Sequence, residues 1–417
     1  MRHSKFAKVG AVAVAAAVAF AFAGCATPPD SGDGALTGDI RILANITPVL
    51  TKEYYEDLLA PYLESHPGVT VTIETPSGED VQATLQQELA SGSIPDIVAS
   101  NLDPVVIPQL TAFPEEEWVN ATPLAQENKV DGKIWQVATG AQIQSLVFYN
   151  KDAFAAAGIT ETPTSLEDFT ADLRKLKDAG YIPLQTAGEW VTGAQFAMMA
   201  NPALLADGPQ YWADQTAGTA SFADSPYATY FDAYAGWVKD GLVQKDALGL
   251  KYQDSIDGFT SGKAATYIIG NWIVPSIDDA DVPFEVGVFA TPTIDGALPK
   301  QFSGPAQPYS ILKDSKNQAL ALDIVKYLVS DKDAIAKSLA SEGNFRAGVS
   351  YDGSPLNAAV AAILDAAPGS VPGTTGPGIP AGFADELNLQ VQSQYTGGSP
   401  ADAAKALDAW WKTNAAN

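Results

Sequence analysis

The sequence predicts an α/β protein whose length suggests two domains or lobes. Short apolar runs alternate with segments of helical periodicity, the order that builds a layered fold around a largely parallel sheet. A second region of the same kind starts near Gln142. The 417 residues, 46% of them hydrophobic, can bury a substantial core.

The elements follow in chain order. Arg2, Lys5 and Lys8 lead into an apolar run over residues 9–22. That run is short of the ~20 residues that span a bilayer, and small residues close it, so residues 1–24 read as a cleaved signal peptide. Residues 25–38 are rich in Pro, Gly, Ser and Asp and read as a flexible tether. A strand is expected over 40–44. Thr51 then caps a helix carrying Tyr55, Leu58, Leu59, Tyr62 and Leu63 on one face. Residues 69–74 alternate as a strand. Val81, Leu85 and Leu89 mark a helix that stops at Ser91-Gly92, and Pro95-Asp96 opens the next strand.

In the second region, residues 145–149 form an apolar strand. Ser165 caps a helix that ends at Gly180, and Ser225-Pro226 starts another that ends at Gly241. A strand over 286–289 leads into Thr291-Pro292. Ser315 is read as the cap of a periodic helix through Leu328, and Ser399-Pro400 as the start of the last helix. Residues 367–382 (APGSVPGTTGPGIPAG) read as one long loop. Trp118, Trp212, Trp237, Trp410 and Trp411 sit in periodic or helical settings and are assigned to packing.

Composition excludes several classes. With 24 Lys and Arg against 49 Asp and Glu, the formal net charge is −25. Such a chain lacks the cations that nucleic acid or anionic lipid would require. Cys25 is the only cysteine, and His3 lies in the leader, which leaves His66 as the one histidine beyond it. Zinc sites built on His and Cys clusters and a histidine-based triad find no support, and no cofactor is expected. No phosphate-binding loop of the P-loop type occurs.

Two resemblances sharpen this reading. Phe22-Ala23-Gly24-Cys25 resembles the lipobox of bacterial lipoproteins, with Phe22 where leucine is usual. That implies a lipid on Cys25 and an extracytoplasmic protein anchored to the cell membrane. The rest of the chain resembles the extracellular solute-binding proteins of bacterial ABC importers, in the family 1, maltose-binding-protein-like, carbohydrate-binding branch. The likeness rests on an ordered set of segments. These are residues 86–100 (QQELASGSIPDIVAS), 132–135 (GKIW), 145–152 (SLVFYNKD), 164–169, 259–265 (FTSGKAA) with 270–272 (GNW), 286–292 (VGVFATP) and 315–317 (SKN). Ser165 and Thr266 stand where that family commonly has tryptophan and methionine.

The second resemblance implies a periplasmic-binding-protein-like fold of two α/β lobes joined by several crossings, with the ligand in the cleft between them. One lobe would hold 39–142 and 292–340, the other 143–291 and 341–417. It further implies a monomer that hands a sugar or oligosaccharide to ABC permease subunits and performs no catalysis.

A sugar offers hydroxyls around its ring and C–H patches on its faces, so its site pairs aromatic plates with directed polar groups. Trp272 is the first candidate plate, on a strand-to-helix turn after Gly270-Asn271. Covering ~60 Å² of apolar sugar surface is worth about 1.5 kcal/mol. Trp190, beside Glu189, sits in a similar turn. Asp103, with Ser100 and Asn101, follows the strand over 97–99; a cap on the next turn is the other role open to Asp103. Asn45 follows the first strand, Gln142 and Gln144 lie at the first crossing, and Gln307 precedes a strand at 309–311. Asn344 and Arg346 fall near another crossing, where Arg346 could bridge the lobes.

Two rivals stay open. A polyamine suits acids and aromatics almost as well as a sugar does, on the same fold. A lipid-anchored glycoside hydrolase would need two carboxyls ~5–10 Å apart, and no spacing marks such a pair.

Overall fold

Two sheets organise the chain, each wrapped in its own helices. The computed structural model describes residues 36–77 and 81–415. The signal segment, Cys25 and most of the tether lie outside the described residues. The described part belongs to one unit that begins at Leu36.

The chain lays down β1 (Gly38–Ala44), β2 (Val69–Glu74), β3 (Ile97–Ala99), β4 (Leu110–Thr111) and β5 (Val137–Ile143) in one sheet. It crosses to a second sheet of β6 (Leu146–Asn150), β7 (Ile182–Gln185), β8 (Ala264–Ile268) and β9 (Val286–Ala290). It then returns to the first with β10 (Gln301–Leu312) and β11 (Ser370–Val371). The first sheet runs β11-β10-β3-β1-β2, with β4 and β5 also paired to β10, and the second runs β7-β8-β6-β9.

The expectation of a largely parallel sheet holds for only part of this. β1 is parallel to β2 and β3, with Ile42 opposite both Ile73 and Ile97, and β7 is parallel to β8. β10 is antiparallel to β3, β4 and β5, and β6 is antiparallel to both β8 and β9. The reason is traffic between the sheets. β5 leaves the first sheet and β10 re-enters it; β6 enters the second and β9 leaves it. A strand that carries the chain back runs against the one that carried it out.

Each sheet has its own core. Tyr55, Leu58, Ile73, Ile97, Tyr309 and Ile324 belong to the first, and Phe148, Phe169, Phe196, Tyr234, Tyr267 and Trp237 to the second. The cap residues act as their sequence suggests. Thr51 accepts from Tyr54 N at 3.2 Å, Ser165 from Asp168 N at 3.0 Å, Ser225 from Tyr227 N at 3.2 Å and Ser399 from Asp402 N at 3.4 Å. Ser315 does not cap its helix. That helix spans Gln318–Ser330 with Asn317 at its N-cap; Ser315 Oγ accepts from Asn317 N at 3.0 Å, just ahead of the helix, and donates to Asp96 Oδ1 at 2.5 Å. The buried Asp96 carboxylate, which also accepts from Arg41 N at 2.9 Å, draws the hydroxyl towards the entry of β3.

Two further differences matter for the cleft. The glycine- and proline-rich loop is pinned: Ser370 and Val371 pair with Gln301 and Phe302, and Ile379 is buried. The helix Val191–Leu204 was not foreshadowed by periodicity. It lies against the helices Pro226–Asp240 and Phe383–Ser393 and is buried almost all round, so it has no polar stripe to betray it. Trp212, Trp237 and Trp411 are buried in the second core, and Trp410 packs on it. Trp118 lies against the first core, edge-on to Phe113. Among the described residues no helix is long and apolar enough to cross a membrane.

Candidate ligand cleft

The crossings between the sheets define where a ligand can meet both lobes. β5 ends at Ile143 and β6 begins at Leu146, so Gln142 and Gln144 stand at the first crossing. β1 and β3 run parallel, and the residues just beyond their carboxyl ends, Asn45 and Asn101, face the same side. Opposite them, the turns after β7 and β8 bring Trp190 and Trp272. Between these walls lies a cavity of about 310 Å³.

The aromatic wall is built from the backbone up. After β8 the chain turns through Gly270 into the short helical turn Asn271–Ile273. The Trp272 indole lies directly on Gly270: a Cβ there would fall 2.0 Å from a ring carbon. Any side chain at 270 must therefore move the ring. Trp190 follows Glu189, whose backbone takes the left-handed φ of 48°. That costly conformation is held from three directions. Tyr252 N donates to Glu189 Oε2 at 2.8 Å, Gln392 Nε2 donates to the Glu189 carbonyl at 3.0 Å, and Asn388 Nδ2 donates to the same carbonyl. Glu189 is thus the mount of the tryptophan and does not line the cavity. Trp190 is 43% exposed, with the Tyr252 ring at 4.9 Å and the Trp272 ring at 6.4 Å. Three tilted rings form one corner of the cleft.

The facing wall is mostly amide. Asn45, Asn101, Gln142 and Gln144 line it, and their side chains make no hydrogen bond among the described residues. Thr47, Ser276 and Thr374 add hydroxyls, and Phe302 adds a further ring. Glu342 is the one charged side chain among the described residues lining this cavity. Burial pushes its carboxyl above the usual carboxylate range, against hydrogen bonds from Asn344 and Gln307. Burial likewise raises the Tyr252 phenol well above the ordinary value, so it is a neutral donor at physiological pH.

The remaining candidates lie elsewhere. Asn271 is fully buried beneath the aromatic corner. Its Oδ1 accepts from Ile143 N at 2.6 Å, and its Nδ2 lies within bonding distance of Glu342 O, Gly343 O and Asn344 Oδ1. It ties the second lobe to two crossing segments. Gln307, with φ 45°, turns its side chain into the helix Lys332–Glu342, where Nε2 donates to Ser338 O at 3.0 Å and to Ser341 Oγ at 2.9 Å. Ser100 Oγ donates to Asn101 O at 3.3 Å and lines none of these cavities. Asp103 faces a smaller neighbouring cavity of about 80 Å³, with Asn101, Trp135 and Gln136. Arg346 donates to the carbonyls of Val329 at 2.8 Å, Thr139 at 3.3 Å and Ala121 at 3.4 Å and lines none of these cavities.

A family model described as bacterial extracellular solute-binding protein matches residues 47–335. The chain belongs to that family. The multiple sugar-binding protein of Streptococcus mutans is 23% identical over 242 residues, 53% of this chain. That stretch spans 55% of the relative's own length, little more than half. A chitin oligosaccharide binding protein superposes with a TM-score of 0.78 at 21% identity, covering 91% of this chain and 100% of its own. The GacH receptor of Streptomyces glaucescens, solved unliganded and with acarbose, gives 0.75 at 17% identity over 92% of this chain and 99% of its own. At these identities the structural likeness speaks to the two-lobed fold alone.

In this solute-binding protein the cleft continues past the aromatic corner. A second cavity of about 670 Å³ shares Asn101, Gln144, Phe302 and Thr374 with the first and runs towards Trp212 and Glu127 under the pinned loop. A depression of about 710 Å³ elsewhere is lined only by residues 57–66 and 323–337 of the first lobe, and its rim carries both Asp and Lys. No residue from around the second sheet lines it. Sequence reasoning missed Tyr252, Phe302, Glu342 and Thr374 as lining residues. Only Glu342 had a usable signal, the Gly343 that ends its helix with φ 62°.

Gly270→Ala tests how the corner is built. Displacing the Trp272 ring removes one aromatic plate, so ligand affinity is expected to fall about ten-fold. Indole emission should change even without ligand. Unchanged affinity and emission would mean that the ring does not depend on Gly270.

Proposed function

We propose that this protein is the substrate-binding lipoprotein of an ABC importer that captures a neutral oligosaccharide outside the cell. The observation that carries the reading is the composition of the first cavity: three aromatic rings face a wall of amides and hydroxyls, Glu342 is its one acid, and among the described residues no Lys or Arg lines it or its extension, where Glu127 is the one acid. Aromatic faces cover the C–H patches of a pyranose, and amides meet its hydroxyls as both donors and acceptors. A polyamine would need several carboxylates at its ammonium groups, and an anionic solute would need cations. A hydrolase would need two carboxyls across the cleft, where the first cavity offers Glu342 alone. The extension into the second cavity favours an oligosaccharide over a single ring.

The working cycle follows from the two walls. A ligand that touches both lobes favours the closed form by its differential affinity for the two forms. The closed protein, a monomer tethered by lipid on Cys25, then delivers the sugar to permease subunits, where ATP is consumed.

A thermal-shift and calorimetric screen of residues 36–417 tests this with oligosaccharides, spermidine, putrescine and short peptides. A ligand at 100 times its Kd adds about 2.7 kcal/mol of stability. Oligosaccharides are expected to shift the transition. A shift with polyamines or peptides alone would overturn the ligand class, and cleavage of an intact glycan during the assay would overturn the binding role itself.

A further inference from the structure

Glu342 ends the helix Lys332–Glu342 and sits in the lining of the cleft at 5% exposure. Its Oε2 accepts from Asn344 Nδ2 at 3.2 Å and from Gln307 Nε2 at 3.5 Å, both long. Its Oε1 accepts no hydrogen bond among the described residues. A carboxylate has about four acceptor sites, so much of its capacity is unmet. Among the described residues no cation compensates it: the titratable groups facing it are the phenols of Tyr54 and Tyr55, of Tyr309 in β10, and of Tyr252 across the cleft. Burial raises all four phenols, so none exchanges protons with it at acid or neutral pH. The contacts Glu342 makes with the protein ask only for a neutral acceptor, which glutamine would supply without the cost of a buried charge.

Its position is also fixed from both lobes. The Glu342 carbonyl accepts from Asn271 Nδ2 at 3.1 Å, and Asn271 in turn holds the end of β5. The acceptor is mounted at the joint, beside the aromatic corner.

The geometry points to Glu342 as the specificity-determining acceptor of the cleft, taking a hydrogen bond from a hydroxyl of the bound sugar through Oε1. This rests on the sugar-binding reading above. A ligand lacking a donor at that place leaves a buried charge dry and is rejected more strongly than loss of an apolar contact would explain.

Two pH consequences have opposite signs. The ionised carboxylate is the stronger acceptor, so sugar affinity falls as pH drops through the raised pKa of Glu342. Without ligand, a carboxyl whose pKa is raised by folding destabilises the protein as pH rises from the unfolded to the folded value. Removing the charge should therefore stabilise the empty protein at neutral pH and do nothing at acid pH.

The test is calorimetry of wild type and Glu342→Gln between about pH 4 and 8, with maltotriose, raffinose, chitotriose and mannobiose as probes and thermal unfolding measured in parallel. With a probe that binds, the variant is expected to lose about ten-fold in affinity at neutral pH. It should show a flat pH profile that meets wild type at the acid end, and unfold at a higher temperature when empty. Equal affinities with parallel pH profiles would overturn the assignment of Glu342 while leaving the sugar reading intact. A flat wild-type profile would do the same, whether or not the variant folds. If none of the four probes binds wild type while spermidine or a peptide does, the sugar reading fails, and this inference fails with it.

Discussion

Replacing Asn271 with leucine is expected to destabilise the protein by about 2–5 kcal/mol. Leucine matches the size of asparagine but can neither accept from Ile143 N nor donate to the carbonyls of Glu342 and Gly343. Each buried group left without a partner costs about 1–3 kcal/mol, and here the groups belong to two segments that cross between lobes. Chemical denaturation is the direct check, read as a lower midpoint at unchanged slope. A loss below about 1 kcal/mol would mean that water replaces the amide and that Asn271 does not hold the joint.

Removing both indoles of the aromatic corner is expected to abolish most of the sugar affinity. If Trp190 and Trp272 each cover ~60 Å² of apolar ligand surface, their joint loss removes about 3 kcal/mol, a weakening of about 100-fold. Trp190 is the cleaner half of the test because 43% of it is exposed and its loss opens little core. Trp272 packs partly on the second core, so Trp272→Ala also lowers stability, and affinity must be measured well below the unfolding transition. Calorimetry on the two single variants and the double variant separates the contributions. A double variant that binds within three-fold of wild type would remove the corner from the site.

The two cases show how differently the site was legible in the sequence. Trp272 and Trp190 could be found because each follows a short apolar strand through a Gly-containing turn, and such turns fall at the mouth of an α/β cleft. Asn271, one residue away from Trp272, carried the same sequence signal yet turns inward. Which side of a turn a polar residue takes depends on what awaits it there, and here an unpaired backbone N–H on β5 awaits Asn271. Gln307 is a similar case: the register of β10 sends it to the helix Lys332–Glu342. Tyr252 and Phe302 gave no signal, because each comes from an element distant in the chain and becomes a wall only when the sheets are assembled.

The helices and strands were legible where local chemistry is self-sufficient. Thr51, Ser165, Ser225 and Ser399 cap their helices because a hydroxyl reaches an N–H two or three residues away whatever else the fold does. Ser315 likewise accepts from the N–H two residues on, that of Asn317, but the helix begins only after Asn317, and the Ser315 hydroxyl hydrogen goes to the buried Asp96 more than 200 residues away. The helix Val191–Leu204 was hidden for the opposite reason, since an element buried on every side has no periodic contrast.

By itself the sequence determined the α/β alternation, the apolar faces, the helix caps and the residue types suited to a sugar. These depend on interactions within a few residues or on composition. Tertiary structure alone decided the mixed strand directions, the burial of Asn271 and Gln307, the pinning of the loop over the cleft and the placing of Glu342 among neutral groups. Each of these is set by partners that lie far apart in the chain, and a buried polar group goes wherever the folded protein leaves it a partner.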